Sequence, residues 1–290
     1  MKSKVSIVHN PRVDRGLAHA LEHLGSLSEL FNDKHVAIKP NETWASPGDL
    51  TACTQADTVK ALIRLVKRYR PFKITVTGGS GDGETDQIFG YLGIDKVIFE
   101  ERVEFFDHNR GPFEKIHLDY GPAHEVIINP HIFSFDTIVS LAQHKVHKRA
   151  DVTLTMKNTA MSFPAADYYG HPRWKYEHAR EVFFGDLHGF ITGMCQRFPF
   201  QLGIINGHPA MTGTGPIGGK AFESQLVIAG RDFVAVDAVG AYLLGRKNVS
   251  HIEQADYLGL GQSDLNNIEI AGTPLERAAD IFNARASERK

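Results

Sequence analysis

The order of apolar and polar positions in the first hundred residues predicts alternating strands and helices. Short runs rich in β-branched residues are predicted to form buried strands at 5–8, 36–38, 74–77 and 97–99. Residues 54–68 form the clearest predicted helix, because their apolar side chains recur at helical spacing and Thr54 with Asp57 forms a capping pair. Strand, helix and strand at this spacing predict Rossmann-like βαβ units in a parallel or mixed sheet flanked by helices.

Polar residues follow three of these predicted strands at the point where each strand ends. They are His9-Asn10, Lys39-Pro40-Asn41 and a glycine-rich loop at 78–84. The carboxyl ends of parallel strands share one edge of a sheet, and ligands of such sheets bind there. The glycine loop can present backbone amides to an anion, although a tight turn that needs positive φ explains the same glycines equally well.

The pattern becomes less regular after Arg110-Gly111-Pro112, with strand-like runs at 115–118 and 125–128. We therefore predict a Rossmann-like N-terminal α/β lobe at 1–110 and a second α/β lobe at 111–290. The ligand site is expected in the cleft between the two lobes.

Composition and charge narrow the classes of protein. The chain has 290 residues, 42% of them hydrophobic, and a formal net charge of -2, which gives no global field for nucleic acid or acidic lipid. The sequence contains neither a signal-peptide core nor a run of ~18 apolar residues, so we expect a cytoplasmic protein with no membrane partner. Cys53 and Cys195 are the only cysteines, so a 4Fe-4S cluster held by four thiolates of one chain is not expected.

A cationic stretch at 140–158 is the strongest candidate for a site. It contains His144, Lys145, His147 and Lys157 together with further basic residues. The two histidines share a face only on a helix or turn, so their pairing on a divalent metal requires that local structure. A solvated basic turn is the alternative interpretation, because runs of charge usually form exposed surfaces.

A second group of histidines and carboxylates lies on a helix predicted to begin near Lys175. His178, Asp186 and His188 have spacings that suit metal ligation or an acid–base pair. We therefore count His144, His178 and His188 as candidate metal ligands. A hydrogen-bonded helix surface accounts for the same residues without a metal.

Two further features lie towards the C-terminus. A loop with four glycines follows Met211 and includes Gly213 and Gly215, which can bring backbone amides close to a ligand. Its alternative interpretation is a flexible connector. Asp237 stands within an otherwise apolar helix predicted at 232–244, and a buried acid of that kind usually has a partner or a function.

Five segments in the same order resemble the "domain of unknown function 362" family. They are Lys39-Pro40-Asn41, Ser140-Leu141-Ala142 with Lys145 and His147, Val152-Thr153-Leu154 with Lys157 and Asn158, Gly213 to Pro216, and Val234 to Ala238. Many similar proteins carry an added iron-sulfur module, whose cysteines this chain lacks. Similar proteins also tend to have an aspartate at the position of Asn206, so a carboxylate is missing there. The resemblance groups these polar residues into one site: Lys39, Asn41, Lys145, His147, Lys157, Asn158, Asp186 and Asp237.

The combined prediction is an enzyme that acts on a small anionic metabolite by acid–base chemistry of the lyase or isomerase type. Lys145 or His147 is the expected acid or base, Asp186 orients a histidine, and Lys39 and Lys157 hold the anion. Asn41, Asn158, Gly213 and Gly215 are expected to contact the substrate, with Asp237 supporting the site. A divalent metal and a homo-oligomer are left open. The alternatives are a redox accessory protein with an iron-sulfur or flavin partner and a non-catalytic anion-binding module.

Overall fold

The computed structural model describes residues 2–288 of the chain. The strands are β1 Ser3–His9, β2 His35–Pro40, β3 Lys73–Gly78, β4 Glu104–Asp107, β5 Glu114–His117, β6 Glu125–Ile128, β7 Thr137–His147, β8 Asp151–Thr153, β9 Leu202–Thr212, β10 Lys220–Phe222, β11 Leu226–Gly230 and β12 Ile268–Gly272. The α-helices are α1 Val13–Glu22, α2 Ser28–Phe31, α3 Ala56–Lys67, α4 Thr85–Leu92, α5 Ile94–Glu101, α6 Thr155–Ala160, α7 Ala166–Tyr169, α8 Glu177–Phe184, α9 Leu187–Arg197, α10 Phe233–Leu243, α11 Ser250–Tyr257 and α12 Leu275–Ser287. Short 3-10 helices occupy Pro130–Ser134, Arg173–Lys175 and Leu265–Asn267.

One mixed sheet of ten strands organises the protein. Its order is β12-β1-β11-β9-β7-β2-β3-β4, with β8 beside β7 and β10 beside β9. The run from β9 to β4 is parallel, whereas β11 is antiparallel to both of its neighbours. Strands β5 and β6 form a separate antiparallel pair. The predicted α/β class, with a mixed sheet flanked by helices, is confirmed.

The sheet separates two hydrophobic clusters. Adjacent residues of one strand enter different clusters, as Ile204 and Ile205 do on β9, because side chains alternate between the faces of a strand. Strands from both sides of residue 110 belong to this sheet, so the segments 1–110 and 111–290 contribute to the same layer. The division into two lobes stays a prediction.

Two local predictions were wrong. Residues 97–99 lie in helix α5 rather than in a strand, because Ile94, Val97 and Glu101 are buried on one helical face while Phe99 is exposed. The helix predicted from residue 175 is two helices, α8 and α9, with Asp186 as the N-cap of the second.

The predicted helix at 54–68 is present as α3, but its start differs from the prediction. Gln55 is the N-cap and makes no side-chain cap bond. The Thr54 hydroxyl instead donates to the Leu141 carbonyl at 3.0 Å and accepts from the Asn41 amide at 2.9 Å. Thr54 therefore joins the end of β2 to the middle of β7 rather than capping α3.

The parallel neighbours β3, β2 and β7 position the residues discussed below. Lys39 pairs with Ser140 and Pro40 with Leu141 across β2 and β7, so both strands end towards the same edge of the sheet. None of the helices within residues 2–288 has both the length and the apolar character needed to cross a bilayer.

Candidate functional site

A cavity of about 160 Å³ lies at the carboxyl ends of β2 and β3 and beside the end of β7. Helix α6, which follows β8, and the 3-10 turn Arg173–Lys175 complete its wall. The lining residues are Lys39, Asn41, Glu42, Thr43, Gly79, Ser80, Gly81, Asp82, His147, Thr153, Lys157, Asn158, Met161, Ser162, Arg173, Trp174, Phe184, Pro216 and Ile217. Five predicted site residues therefore meet in one place, together with the glycine loop that follows β3.

Lys39 forms the buried polar centre of this cavity. Its ammonium group pairs with Glu42 and donates to the Pro40 carbonyl at 2.5 Å and to Oδ1 of Asn158 at 3.0 Å. The lysine and the glutamate are both almost fully buried, so each needs the other's charge. With three acceptors in place, the Lys39 ammonium organises the site and supplies charge to it, with no N–H left for a ligand.

Glu42 connects the ion pair to the glycine loop and to α6. Its Oε1 accepts hydrogen bonds from the Gly79 amide at 3.0 Å and from the Ser162 hydroxyl at 3.3 Å. A Cβ on Gly79 would lie 2.0 Å from the Ser162 carbonyl oxygen, so the close approach of these segments requires glycine. Sequence reasoning missed Glu42, although its spacing of three from Lys39 was visible.

Asn158 joins β2, β7 and α6 at the cavity wall. Its Nδ2 donates to the Lys39 carbonyl and to the Ser140 hydroxyl, each at 3.1 Å. Its Oδ1 accepts from Lys39 and from Nδ2 of Asn41, the latter at 3.2 Å. Oδ1 of Asn41 is buried and has no hydrogen-bond partner within residues 2–288, so it is available to a bound donor.

Asp237 holds the start of helix α6 from the neighbouring helix α10. Its carboxylate accepts from the Thr155 amide at 2.8 Å, the Thr155 hydroxyl at 2.5 Å and the Met156 amide at 2.9 Å. Burial raises the pKa of Asp237 to about 7, and these three hydrogen bonds oppose that rise. Asp237 therefore acts at a distance from the cavity, by positioning the helix that carries Lys157 and Asn158.

His147 lies at the end of β7 with a defined ring orientation. Its Nδ1 accepts from the backbone amides of Arg149 and Ala150, both at 3.1 Å. Burial, followed by the nearby charges of Lys157 and Lys145, lowers the pKa of His147 far below its ordinary value. The ring is therefore neutral, its proton is on Nε2, and it can donate a hydrogen bond to a ligand oxygen.

Lys145 and Lys157 differ in their partners. Lys145 is fully buried behind the wall, where its ammonium donates to the Ala52 carbonyl at 2.5 Å and to the Thr43 hydroxyl at 3.4 Å. Lys157 lines the cavity itself, and within residues 2–288 no acceptor lies in hydrogen-bond range of its amine. Burial, and then Lys145, Arg173 and Lys39, lower the pKa of Lys157 to about 7, whereas that of Lys145 falls to about 8.

Arg173 is a cation that sequence reasoning missed, because nothing in its local sequence marks it. It is only 3% exposed, and its guanidinium donates to the carbonyls of Pro164 at 2.8 Å and Gly79 at 3.1 Å. Its Nε is buried with no partner within the described residues. Burial lowers the pKa of Arg173 to about 10, so the side chain keeps its charge at neutral pH.

The mouth and the apolar wall of the cavity come from other segments. Trp174 is half-exposed, and its Nε1 donates to Oδ1 of Asp82 at 2.9 Å across the mouth. Met161, Phe184, Pro216 and Ile217 form the apolar part of the wall. The glycine loop before Pro216 packs against β7, where a Cβ on Gly215 would lie 2.0 Å from the Val146 carbonyl oxygen. Gly213 has a φ of +80° but does not line the cavity.

The other predicted site residues have separate surroundings. His144 lies on strand β7, so it points away from His147, bonds the Gly240 carbonyl at 2.9 Å and packs on Phe282. His178 stacks near Tyr169, and the rings of His188 and His251 meet at 2.9 Å between their Nδ1 atoms. Asp186 accepts from the Gly189 amide at 2.9 Å rather than from a histidine. Within residues 2–288, no three His, Cys, Asp or Glu side chains are placed to hold a metal together, and metal binding stays a prediction.

The arrangement is suited to a small anion. The lining side chains carry three formal positive charges, on Lys39, Lys157 and Arg173, and two negative charges, on Glu42 and Asp82. Buried Lys145 adds a further positive charge behind the wall. Neutral His147 and the amine of Lys157, which has no protein acceptor within residues 2–288, lie in this positive potential. A hydrogen-bond donor and an amine placed in this way can transfer protons to or from a bound anion.

The family model described as "Domain of unknown function (DUF362)" matches residues 36–242 of this chain of 290. The matched range includes every residue that lines the cavity. A comparison with the curated proteins finds no match. Because the match spans more than half of the sequence, the protein belongs to the DUF362 family.

Proposed function

We propose that the protein is an enzyme that acts on a small anionic metabolite by proton transfer, in chemistry of the lyase or isomerase type. The observation that carries this proposal is Lys157, a half-buried lysine that lines the cavity and whose amine has no protein acceptor within residues 2–288. A lysine whose pKa is near 7 can exchange a proton at neutral pH, whereas an ordinary lysine stays charged.

The roles in this proposal follow the contacts of each residue. Lys157 is the acid or base, and the Nε2 proton of His147 is donated to an oxygen of the substrate. Lys39, Lys145 and Arg173 supply the positive field that draws the anion in. This assignment moves the acid–base role from Lys145 or His147, where the sequence suggested it, to Lys157.

Two other functions were left open by the sequence. A redox protein that shares a cluster with a partner needs an accessible thiolate, but Cys53 and Cys195 are both buried and burial raises the pKa of each thiol. A non-catalytic anion-binding module needs the same cavity without turnover. We also propose the cytoplasm as the location, because buried unpaired thiols suit a reducing compartment.

The first test is ligand-induced stabilisation. We expect acetate or pyruvate, which fit a cavity of about 160 Å³, to raise the thermal unfolding midpoint more than citrate does. A ligand at one hundred times its Kd adds about 2.7 kcal/mol to the free energy of unfolding. Lys157→Met should abolish the effect, whereas Lys96→Met, which removes an exposed lysine on α5, should leave it unchanged. Equal stabilisation of both variants would contradict the proposal.

A further inference from the structure

We infer that Lys157 binds its substrate covalently, by forming an imine with the carbonyl group of a short oxo acid. The inference rests on the proposed function, because it names the substrate class for the same cavity and a bond for the same amine. It goes further in stating that the amine attacks carbon as well as exchanging protons.

The surroundings of Lys157 favour a neutral, nucleophilic amine. Its neighbours Lys145, Arg173 and Lys39 are all cationic, and the amine has no carboxylate partner within the described residues. Glu42, the buried carboxylate of the wall, is already paired with Lys39 and bonded to Gly79 and Ser162. Desolvation and adjacent cations are the two conditions that make a lysine reactive towards carbonyl groups.

The cavity also selects the rest of the substrate. With Lys157 neutral, the lining charges of Lys39 and Arg173 balance those of Glu42 and Asp82, and buried Lys145 behind the wall supplies the positive charge that favours a carboxylate. The Nε2 proton of His147 can polarise a carbonyl oxygen next to that carboxylate. Met161, Phe184 and Ile217 offer an apolar wall for a short carbon chain. A volume of about 160 Å³ restricts the ligand to a few heavy atoms, since a cavity of about 150 Å³ holds benzene. A short oxo acid has these three parts.

Imine formation needs only the amine of Lys157 and the oxo acid, and it releases water. The neutral amine of Lys157 adds its electron pair to the carbonyl carbon, and the oxygen takes up a proton to give a carbinolamine. Loss of that oxygen as water, with the two hydrogens that the amine gives up, leaves the imine. When the imine is protonated, it accepts the electron pair that is released as a proton leaves the neighbouring carbon, or as the carboxylate of a 3-oxo acid leaves that carbon as carbon dioxide.

Reductive trapping tests the imine. The whole protein is incubated at pH 7 with pyruvate or acetoacetate and cyanoborohydride, and modified lysines are located by peptide mass spectrometry. At that pH the neutral fraction of Lys157 exceeds that of an ordinary lysine by roughly a thousandfold. We therefore expect Lys157 to be modified at least ~10 times faster than exposed Lys96, and acetate to slow this modification by competing for the cavity.

The outcomes separate the two proposals. Stabilisation by pyruvate with no adduct on Lys157, or with Lys96 modified equally fast, overturns the imine and leaves the proposed proton transfer in place. If no small anion stabilises the protein and no adduct forms, both proposals fail. In Lys157→Arg, whose guanidinium is cationic and forms no imine, the adduct should be absent while Lys96 keeps its slow rate.

Discussion

Three lysines of this site show how hydrogen-bond partners determine what a lysine amine does. Lys39 has three acceptors, including the carboxylate of Glu42, and therefore acts as a fixed charge. Lys145 has a carbonyl and a hydroxyl, and Lys157 has no acceptor within the described residues. The fewer acceptors a desolvated lysine has, the less its ammonium form is stabilised, and Lys157, which has none, is therefore the lysine whose neutral amine is most favoured.

The pH dependence of stability tests the state of Lys157. Its pKa is about 7 in the folded protein and 10.5 in its ordinary state, so between these pH values the unfolded chain binds more protons. The free energy of unfolding therefore rises with pH in this window. Lys157→Met should reduce that rise by up to ~1 kcal/mol per pH unit, measured by urea unfolding between pH 7.5 and 10.

The pKa of Lys145, about 8, also lies in this window, so part of the rise in the free energy of unfolding should remain in Lys157→Met. Lys96→Met is the control, because it removes an exposed lysine that lies outside the cavity. A slope for Lys157→Met that matches the wild type would mean that Lys157 stays charged in the folded protein.

Sequence reasoning found the site residues that follow strand ends and missed those whose role depends on distant partners. Lys39, Asn41, His147, Lys157 and Asn158 were recognised, and all five line the cavity. Arg173 is joined to Gly79 across 94 residues, and no local pattern records that contact. The pairing of His144 with His147 on a metal needs a helix or turn, whereas the structure has strand β7 there, and metal binding by His144 stays a prediction.

At the scale of elements, the short helix α6 depends on its neighbours. It has six residues and no side-chain cap of its own, and Asp237 on α10 accepts both of its first amides. The apolar pattern of α10 was readable from the sequence. The sequence did not reveal that the carboxylate of Asp237 holds α6, because the two helices lie about eighty residues apart in the chain.

Asp237→Asn tests this dependence. The amide has one acceptor oxygen where the carboxylate has two, so a buried donor of Thr155 or Met156 loses its partner. We expect the free energy of unfolding to fall by about 1–3 kcal/mol and the stabilisation by acetate to be lost, since Lys157 and Asn158 are displaced.

Asp186→Asn is the matched control for this variant. Asp186 caps α9 outside the cavity, and asparagine is an equally good cap, so stability and acetate binding should both be nearly unchanged. Loss of acetate binding in Asp186→Asn would instead support the catalytic role that the sequence suggested for this residue.

At the scale of the whole molecule, the sheet brings positive charge from distant segments to one cavity. Lys39 comes from β2, Lys157 from α6 and Arg173 from the turn before α8. Such a field attracts anions and opposes a bare divalent cation. We therefore expect treatment with a chelator to leave the acetate-induced rise in unfolding midpoint unchanged, as measured before and after dialysis against EDTA. A loss that zinc or manganese restores would show that a metal takes part in anion binding.

Strand β1 pairs only with strands that are synthesised much later, which affects how the nascent chain folds. β1 contains buried Val5 and Ile7 and lies between β11 and β12, which are formed by residues 226–230 and 268–272. At the usual rate of translation, roughly 10–40 s pass between the synthesis of β1 and that of its first partner. During that time β2, β3 and β4 can already pair, while β1 stays unpaired and its apolar side chains stay exposed. A nascent chain would therefore expose its first strand to chaperones until its last quarter leaves the ribosome.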